Sequence, residues 1–235
     1  MIRLYAPTTR PFSDVSYFGL VISGDARQRH VGVLCNQGKN DIPSVIHLAF
    51  HFSLRLDPPD SAEQFWVDCD DAFGEEERAF FSSWLMKVWE KNQGVIPYGL
   101  NYSNDVSLFG EDARYSDVSI GAGLTCATFV LSVLKSVGFP VVDIDTWTVR
   151  SDDVVWQNKI LSYLERDRVE NPLRYTNYPV EDQNRHVGKA VRVRPEEAVA
   201  AVHGYEGVPM PFDEAEVRGA CVLGQLLAWS SGASC

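Results

Sequence analysis

An α+β fold is what this sequence predicts, on three observations. Three β-type runs follow one another before residue 53, each separated from the next by a polar turn; a helix-period apolar pattern starts at Cys126; and the chain beyond residue 150 reads as helices joined by loops.

The first two runs, Tyr17-Phe-Gly-Leu-Val-Ile-Ser and His30-Val-Gly-Val-Leu-Cys, flank the polar turn Gly24-Asp-Ala-Arg-Gln-Arg and read as a hairpin. The third, Ser44-Val-Ile-His-Leu-Ala-Phe-His-Phe, follows a Gly/Asn/Asp/Pro-rich loop over 36–43, which makes an antiparallel meander of three. From Asp68 the stretch Asp-Cys-Asp-Asp-Ala-Phe-Gly-Glu-Glu-Glu reads as the opening of a helix, because acids favour the positive N-terminal end and Phe81, Leu85, Val88 and Trp89 then recur at helical spacing. It is not a calcium loop: Ala72 and Phe73 stand where the fifth ligand and the obligatory glycine belong. Beyond a loop containing Pro97-Tyr-Gly, Thr125 caps a helix that begins at Cys126. Its stripe is Phe129, Val130, Val133, Leu134 and Val137, and Gly138 ends it. The glycines before it lack the third glycine of a dinucleotide loop, whose place Cys126 takes. Residues 139–145 read as a strand or extended edge, 152–166 as a helix, and 195–202 and 213–229 as two more. With no repeat or long linker, the expected organisation is a main domain over 1–150 and a mostly helical extension over 151–235 packed on it.

Composition narrows the function. The 235 residues are 45% hydrophobic and 23% charged, enough for a sizeable core. A net charge of −11 and a pI near 4.9 give no global field towards nucleic acid or anionic lipid. No apolar run reaches the ~18 residues of a membrane span. The first ten residues lack the basic-then-apolar layout of a secretory signal, so the expected compartment is the cytoplasm, with export by a dedicated secretion system as the alternative. Five cysteines, at 35, 69, 126, 221 and 235, contain no C-x-x-C pair, so neither a disulfide framework nor a zinc site is expected, and no cofactor is implied. Cys235, at the terminus, is read as incidental. The six tryptophans are scattered as core or groove residues rather than as a stacking platform.

A cysteine in the first turn of a helix sits where unsatisfied backbone N–H groups and the helix dipole favour a thiolate, and where the same N–H groups can hold an oxyanion. Such a thiol needs an imidazole to take its proton and a third group to orient that imidazole. Strand alternation supplies candidates: His30 shares a face with Gly32 and Leu34, and His47 shares one with Val45, Ala49 and His51. His51, nearer the strand end, reads as structural. His47 and His51 are not a metalloprotease pair, since the segment between them lacks the glutamate of H-E-x-x-H.

His30-Val-Gly-Val-Leu, then Val45-Ile-His-Leu, then Leu124-Thr-Cys-Ala-Thr-Phe-Val resembles the circularly permuted branch of the papain-like NlpC-type cysteine hydrolases, the branch related to lecithin:retinol acyltransferase. The resemblance spans roughly residues 17–139. It implies a permuted papain-like fold in which the nucleophile helix packs on an antiparallel sheet, with His30 as base, His47 as orienter and Cys126 as nucleophile. Pro97-Tyr98-Gly99 resembles the Pro-Tyr-acid segment that often precedes the nucleophile, with Gly99 in the place of the acid. Leu34 stands where the family has Tyr, and the chain after Arg150 has no counterpart in it.

The expected function is therefore a cysteine hydrolase of the peptidase or amidase type, acting on a peptide or other amide. A lipid or thioester acyltransferase or thioesterase of the same fold, and a non-catalytic binding module, are the alternatives. Tyr98 is the candidate second oxyanion donor. The basic stretch holding Arg185, His186, Lys189, Arg192 and Arg194 is expected to border the cleft, with Arg185 and Arg192 favouring an acidic substrate.

Overall fold

A computed structural model describes residues 2–36, 42–102, 107–116, 122–176 and 178–230. Cys235 and most of the 36–43 loop fall outside them. The architecture is α+β, with one five-stranded antiparallel sheet and five α-helices among the described residues. Strands β1 (Phe18–Gly24), β2 (Arg29–Cys35) and β3 (Ser44–Phe50) form the expected meander, and β4 (Ser53–Asp57) and β5 (Gln64–Asp68) complete a sheet ordered β4-β3-β2-β1-β5. The β1–β2 turn closes at the pair Gly24–Arg29. Gly24 has φ +110, and Asp25 Oδ1 accepts from the N–H groups of Arg27 and Gln28.

Period-two alternation gives the sheet two unlike faces. Phe18, Leu20, Ile22, Val31, Val33, Cys35, Ile46 and Leu48 face the main core, while Val21, Leu34, Val45 and Trp66 join Phe12 and Val15 in a smaller cluster on the other side. The register puts His30 opposite Ser23 and His47 opposite Arg55, on the face of the smaller cluster.

The helix expected from Asp68 starts seven residues later. Phe65, Trp66 and Val67 alternate into the sheet as β5, which carries the chain to Asp68, and α1 (Glu75–Asn92) begins behind Gly74, whose N–H is taken by Glu77 Oε2 at 2.8 Å. Asp68 and Asp70 bind Arg10 and Arg78 instead of opening the helix. No strand forms over 139–145. A single bridge joins Val142 to Met210, and Ile144–Thr146 is a short 3-10 turn.

Helix α2 (Cys126–Ser136) lies centrally: every residue from Cys126 to Leu134 is buried, so in place of one apolar stripe the helix is covered on all sides. The sheet covers one flank through β2 and β3, and α4 (Pro195–His203) another. Between them in sequence, α3 (Ser151–Glu170) supplies Ile160, Leu161 and Leu164 to the same core, which α5 (Phe212–Ser230) also enters. The apolar core is thus continuous across residue 150. Among the described residues, no helix is long and apolar enough to cross a membrane.

Candidate active site

Cys126 is the first residue of α2. Thr125 caps the helix, its Oγ1 accepting from the Thr128 N–H at 3.2 Å while Thr128 Oγ1 accepts from the Thr125 N–H at 2.8 Å. This pairing leaves the N–H groups of Cys126 and Ala127 to act on the thiol. They and the Val31 N–H favour the thiolate, and Arg192 adds positive charge. Burial outweighs them all and pushes the thiol above its ordinary value. Cys126 is 4% exposed.

The two histidines lie on adjacent strands and are bonded to each other: His30 Nε2 is 2.6 Å from His47 Nδ1, with the rings edge to face. Gly32 makes this approach possible, since a β-carbon there would lie 2.9 Å from His47 Cβ. His47 Nε2 continues to Asp57 Oδ2 at 3.0 Å, and Asp57 also binds Arg55. Although burial works against its ionisation, the bonds from His47 and Arg55 hold the Asp57 carboxyl below the usual carboxylate range. Burial lowers His30 to about 4, and burial, opposed by the Asp57 bond, lowers His47.

These bonds fix the tautomers. An ionised carboxylate only accepts, so His47 carries its proton on Nε2 and offers a lone pair at Nδ1. His30 must then donate from Nε2, which leaves His30 Nδ1 as a free base.

His30 and Cys126 line one cavity of about 70 Å³, together with Gln28, Arg29, Ala49, Phe50, Tyr98, Trp156 and Arg192. No hydrogen bond joins His30 to Cys126 Sγ. They come from opposite sides of the sheet: α2 covers the main-core face and His30 projects from the other. The ladder between β2 and β3 pairs Cys35–Ser44, Leu34–Val45 and Val33–Ile46, and stops there. Val31, beyond the last of these pairs, is one of the residues whose backbone N–H favours the Cys126 thiolate.

Tyr98 is buried against Cys126. Its ring packs on Phe50 at 5.5 Å, and burial, with Cys126 next in weight, pushes its hydroxyl up, so it stays a donor. His51 is structural, as read from its position. It is fully buried, accepts the Tyr98 N–H at Nδ1 (3.1 Å) and stacks on Tyr175 at 4.4 Å.

The basic stretch does not act as one wall. Arg192 lines the cavity, its guanidinium carbon 3.8 Å from the centroid of Trp156. Arg185 does not: it sits on the turn Val180–His186, exposed and paired with Asp182 at 3.2 Å, because that turn points the side chain to solvent. Asp57 and Arg29 were missed from the sequence. The signal for Asp57 was a hairpin register, since β4 folds back on β3 and sets Asp57 opposite Val45, beside His47 on the same face.

Two larger grooves, of about 610 and 480 Å³, lie elsewhere. The second holds Cys221 and His203, but Cys221 stands in mid-helix, and no hydrogen-bonded orienter holds His203 among the described residues. No group of His, Cys, Asp and Glu there could hold a metal ion. Comparison with protein-family models, with curated proteins and with solved structures returned no match.

Proposed function

We propose that the protein is a cysteine hydrolase that cleaves an amide or peptide bond, as its resemblance to the permuted papain-like enzymes implies. The observation that carries the proposal is a helix-start thiol opening into the same cavity as a histidine whose tautomer is set by a second histidine and a carboxylate.

With the thiol pushed up and His30 lowered, the resting pair is neutral, so His30 acts as a general base rather than as half of a standing ion pair. The Cys126 proton passes to His30 Nδ1 as sulfur attacks the carbonyl carbon. The charge on His30 is met by its Nε2–H bond to His47 and, through His47, by Asp57. The carbonyl oxygen, now negative, takes hydrogen bonds from the Cys126 N–H and the Tyr98 hydroxyl. As the tetrahedral intermediate collapses, His30 returns the proton to the departing amine, leaving a thioester on Cys126. Water, deprotonated by His30, releases the acid and restores the thiol.

The test needs no natural substrate. p-Nitrophenyl acetate, whose acetyl group alone need reach the sulfur, should release one equivalent of nitrophenolate per protein and leave an acetyl group on Cys126, located by mass spectrometry. Cys126→Ala should abolish the burst, and His30→Ala should slow it by about a hundredfold or more. A burst that persists in Cys126→Ala, or acetylation of Cys221 alone, refutes the proposal.

A further inference from the structure

We propose that Arg192 is a carboxylate receptor beside the nucleophile, so that the substrate carries a carboxylate group next to its scissile carbonyl; this rests on the hydrolase reading for its meaning, though the receptor itself is testable without it. Arg192 is one of three guanidinium groups gathered on Asp153. Arg150 Nε donates to Asp153 Oδ2 at 2.8 Å, and Arg192 Nη1 and Arg194 Nη2 donate to Oδ1 at 3.0 and 3.1 Å. Glu197 answers Arg150 a second time. The other carboxylates within reach, Asp152 on Arg194 and Glu216 near Arg150, stand at the surface. Three cations thus share two buried anions, Asp153 and Glu197. The Arg29 and Glu196 side chains, also buried, are committed to each other in a two-point pair.

Of the three guanidinium groups, Arg192 has the fewest carboxylate partners. Its side chain is only 10% exposed, and burial, with the nearby charges of Arg194 and Arg29, works against its protonated form. Asp153 is its one hydrogen-bonding partner for the guanidinium among the described residues, and uses Nη1. Nε and Nη2, the side-by-side pair of donors that matches two carboxylate oxygens, are left over on a group that lines the Cys126 cavity. Trp156 holds the plane of that edge by stacking on it. Buried N–H donors left without an acceptor are costly, and a carboxylate on that edge would satisfy both. The cavity, at about 70 Å³, has room only for a small group close to the sulfur.

Iodoacetate and iodoacetamide differ by the carboxylate alone, and test the inference in competition at neutral pH with alkylation quantified at each cysteine. Cys221, exposed on α5, is the internal reference. The iodoacetate-to-iodoacetamide ratio at Cys126 should exceed that at Cys221 by at least about tenfold, and should fall with added salt. Arg192→Met should bring the two ratios together, while Arg192→Lys, which keeps the charge and loses the paired edge, should retain an intermediate preference and serves if the first variant does not fold. Equal ratios in the wild-type protein, or a preference that survives Arg192→Met, overturns the inference.

If neither reagent touches Cys126 while Cys221 reacts, the nucleophile assignment fails, and calorimetric titration with succinate decides the receptor on its own. Saturable binding weakened at least about tenfold in Arg192→Met sustains it; absence of binding overturns it, as does inorganic phosphate binding more tightly than succinate.

Discussion

Replacing Asp57 probes the chain of bonds furthest from the sulfur, and its effect follows from the geometry. The His30 and His47 ring centroids are 4.8 Å apart and the Asp57 carboxylate is 3.0 Å beyond His47 Nε2. A charge on His30 therefore lies roughly 8 Å from the carboxylate, an attraction of about 2 kcal/mol at an effective dielectric of 20. Arg55, paired to the same carboxylate at 2.9 Å, stays in the variant and so drops out of the difference. Loss of the carboxylate should thus cost about 2 kcal/mol in the transition state, or roughly thirtyfold in acetylation rate, for Asp57→Ala. Asp57→Asn should lose more when its amide turns to donate. His47 would then adopt the other tautomer, His30 would accept at Nε2, and its proton would move to Nδ1, blocking the base.

The assay is the nitrophenolate burst followed over pH. In both variants the plateau should fall while the acid limb moves below the wild-type value near 4, because removing a nearby anion makes His30 harder to protonate. A merely structural role for Asp57 would lower the plateau without moving the limb. Rates within twofold of wild type in both variants, with an unmoved limb, would refute the tautomer argument.

Gly32→Ala should injure both stability and rate. Its β-carbon would stand 2.8 Å from Val45 Cγ1 and 2.9 Å from His47 Cβ, so an overpacking cost of about 1–3 kcal/mol is expected in urea unfolding, with a slower burst in the fraction that remains folded. Full stability with an unchanged burst would show that β2 and β3 do not meet as described. His51 should make the fold acid-sensitive. Its folded value is lowered to about 4 by burial from an ordinary 6.5, so the unfolded chain binds the proton first. The stability it contributes is whole above pH 6.5 and drains as pH falls towards 4, by up to about 3 kcal/mol. His51→Asn keeps an acceptor for the Tyr98 N–H and removes the titration, so its unfolding midpoint should vary less over that window; an identical pH dependence would mean that His51 is not the group responsible.

Much of the fold was legible because the patterns behind it are local. The β1–β2 hairpin, β3, the start of α2 at its threonine cap, and α4 and α5 depend on alternation, capping and short-range turns. The misreadings come where tertiary pairing decides. Asp68 looks like a helix opening until Trp66 is seen to lie in the smaller core opposite Val21, which makes Gln64–Asp68 a strand. The 139–145 stretch has strand composition but pairs through a single bridge, Val142 to Met210, and so gains no ladder.

The site divides in the same way. Cys126, His30 and His47 announce themselves by residue type and strand face or helix start, whereas Asp57 and the sharing of Asp153 by three arginines are set by partners up to 41 residues apart in sequence. The extension over 151–235 shows why so little of this could be read locally. Tyr178 reaches back with its hydroxyl 2.8 Å from Ala122 O and 3.1 Å from Tyr98 O, and Gln183 takes the Leu100 N–H at 2.7 Å. These bonds hold the Tyr98–Leu124 bridge that delivers both Tyr98 and Cys126 to the cavity. They also explain the residue at 99. A β-carbon there would come within 2.9 Å of Gly123 Cα and of Gln183 Nε2, so the acid that the resembled family carries has no room in this chain. The clamp that positions Cys126 thus excludes the acid from position 99, and the cation that lines its cavity, Arg192, comes from the extension itself.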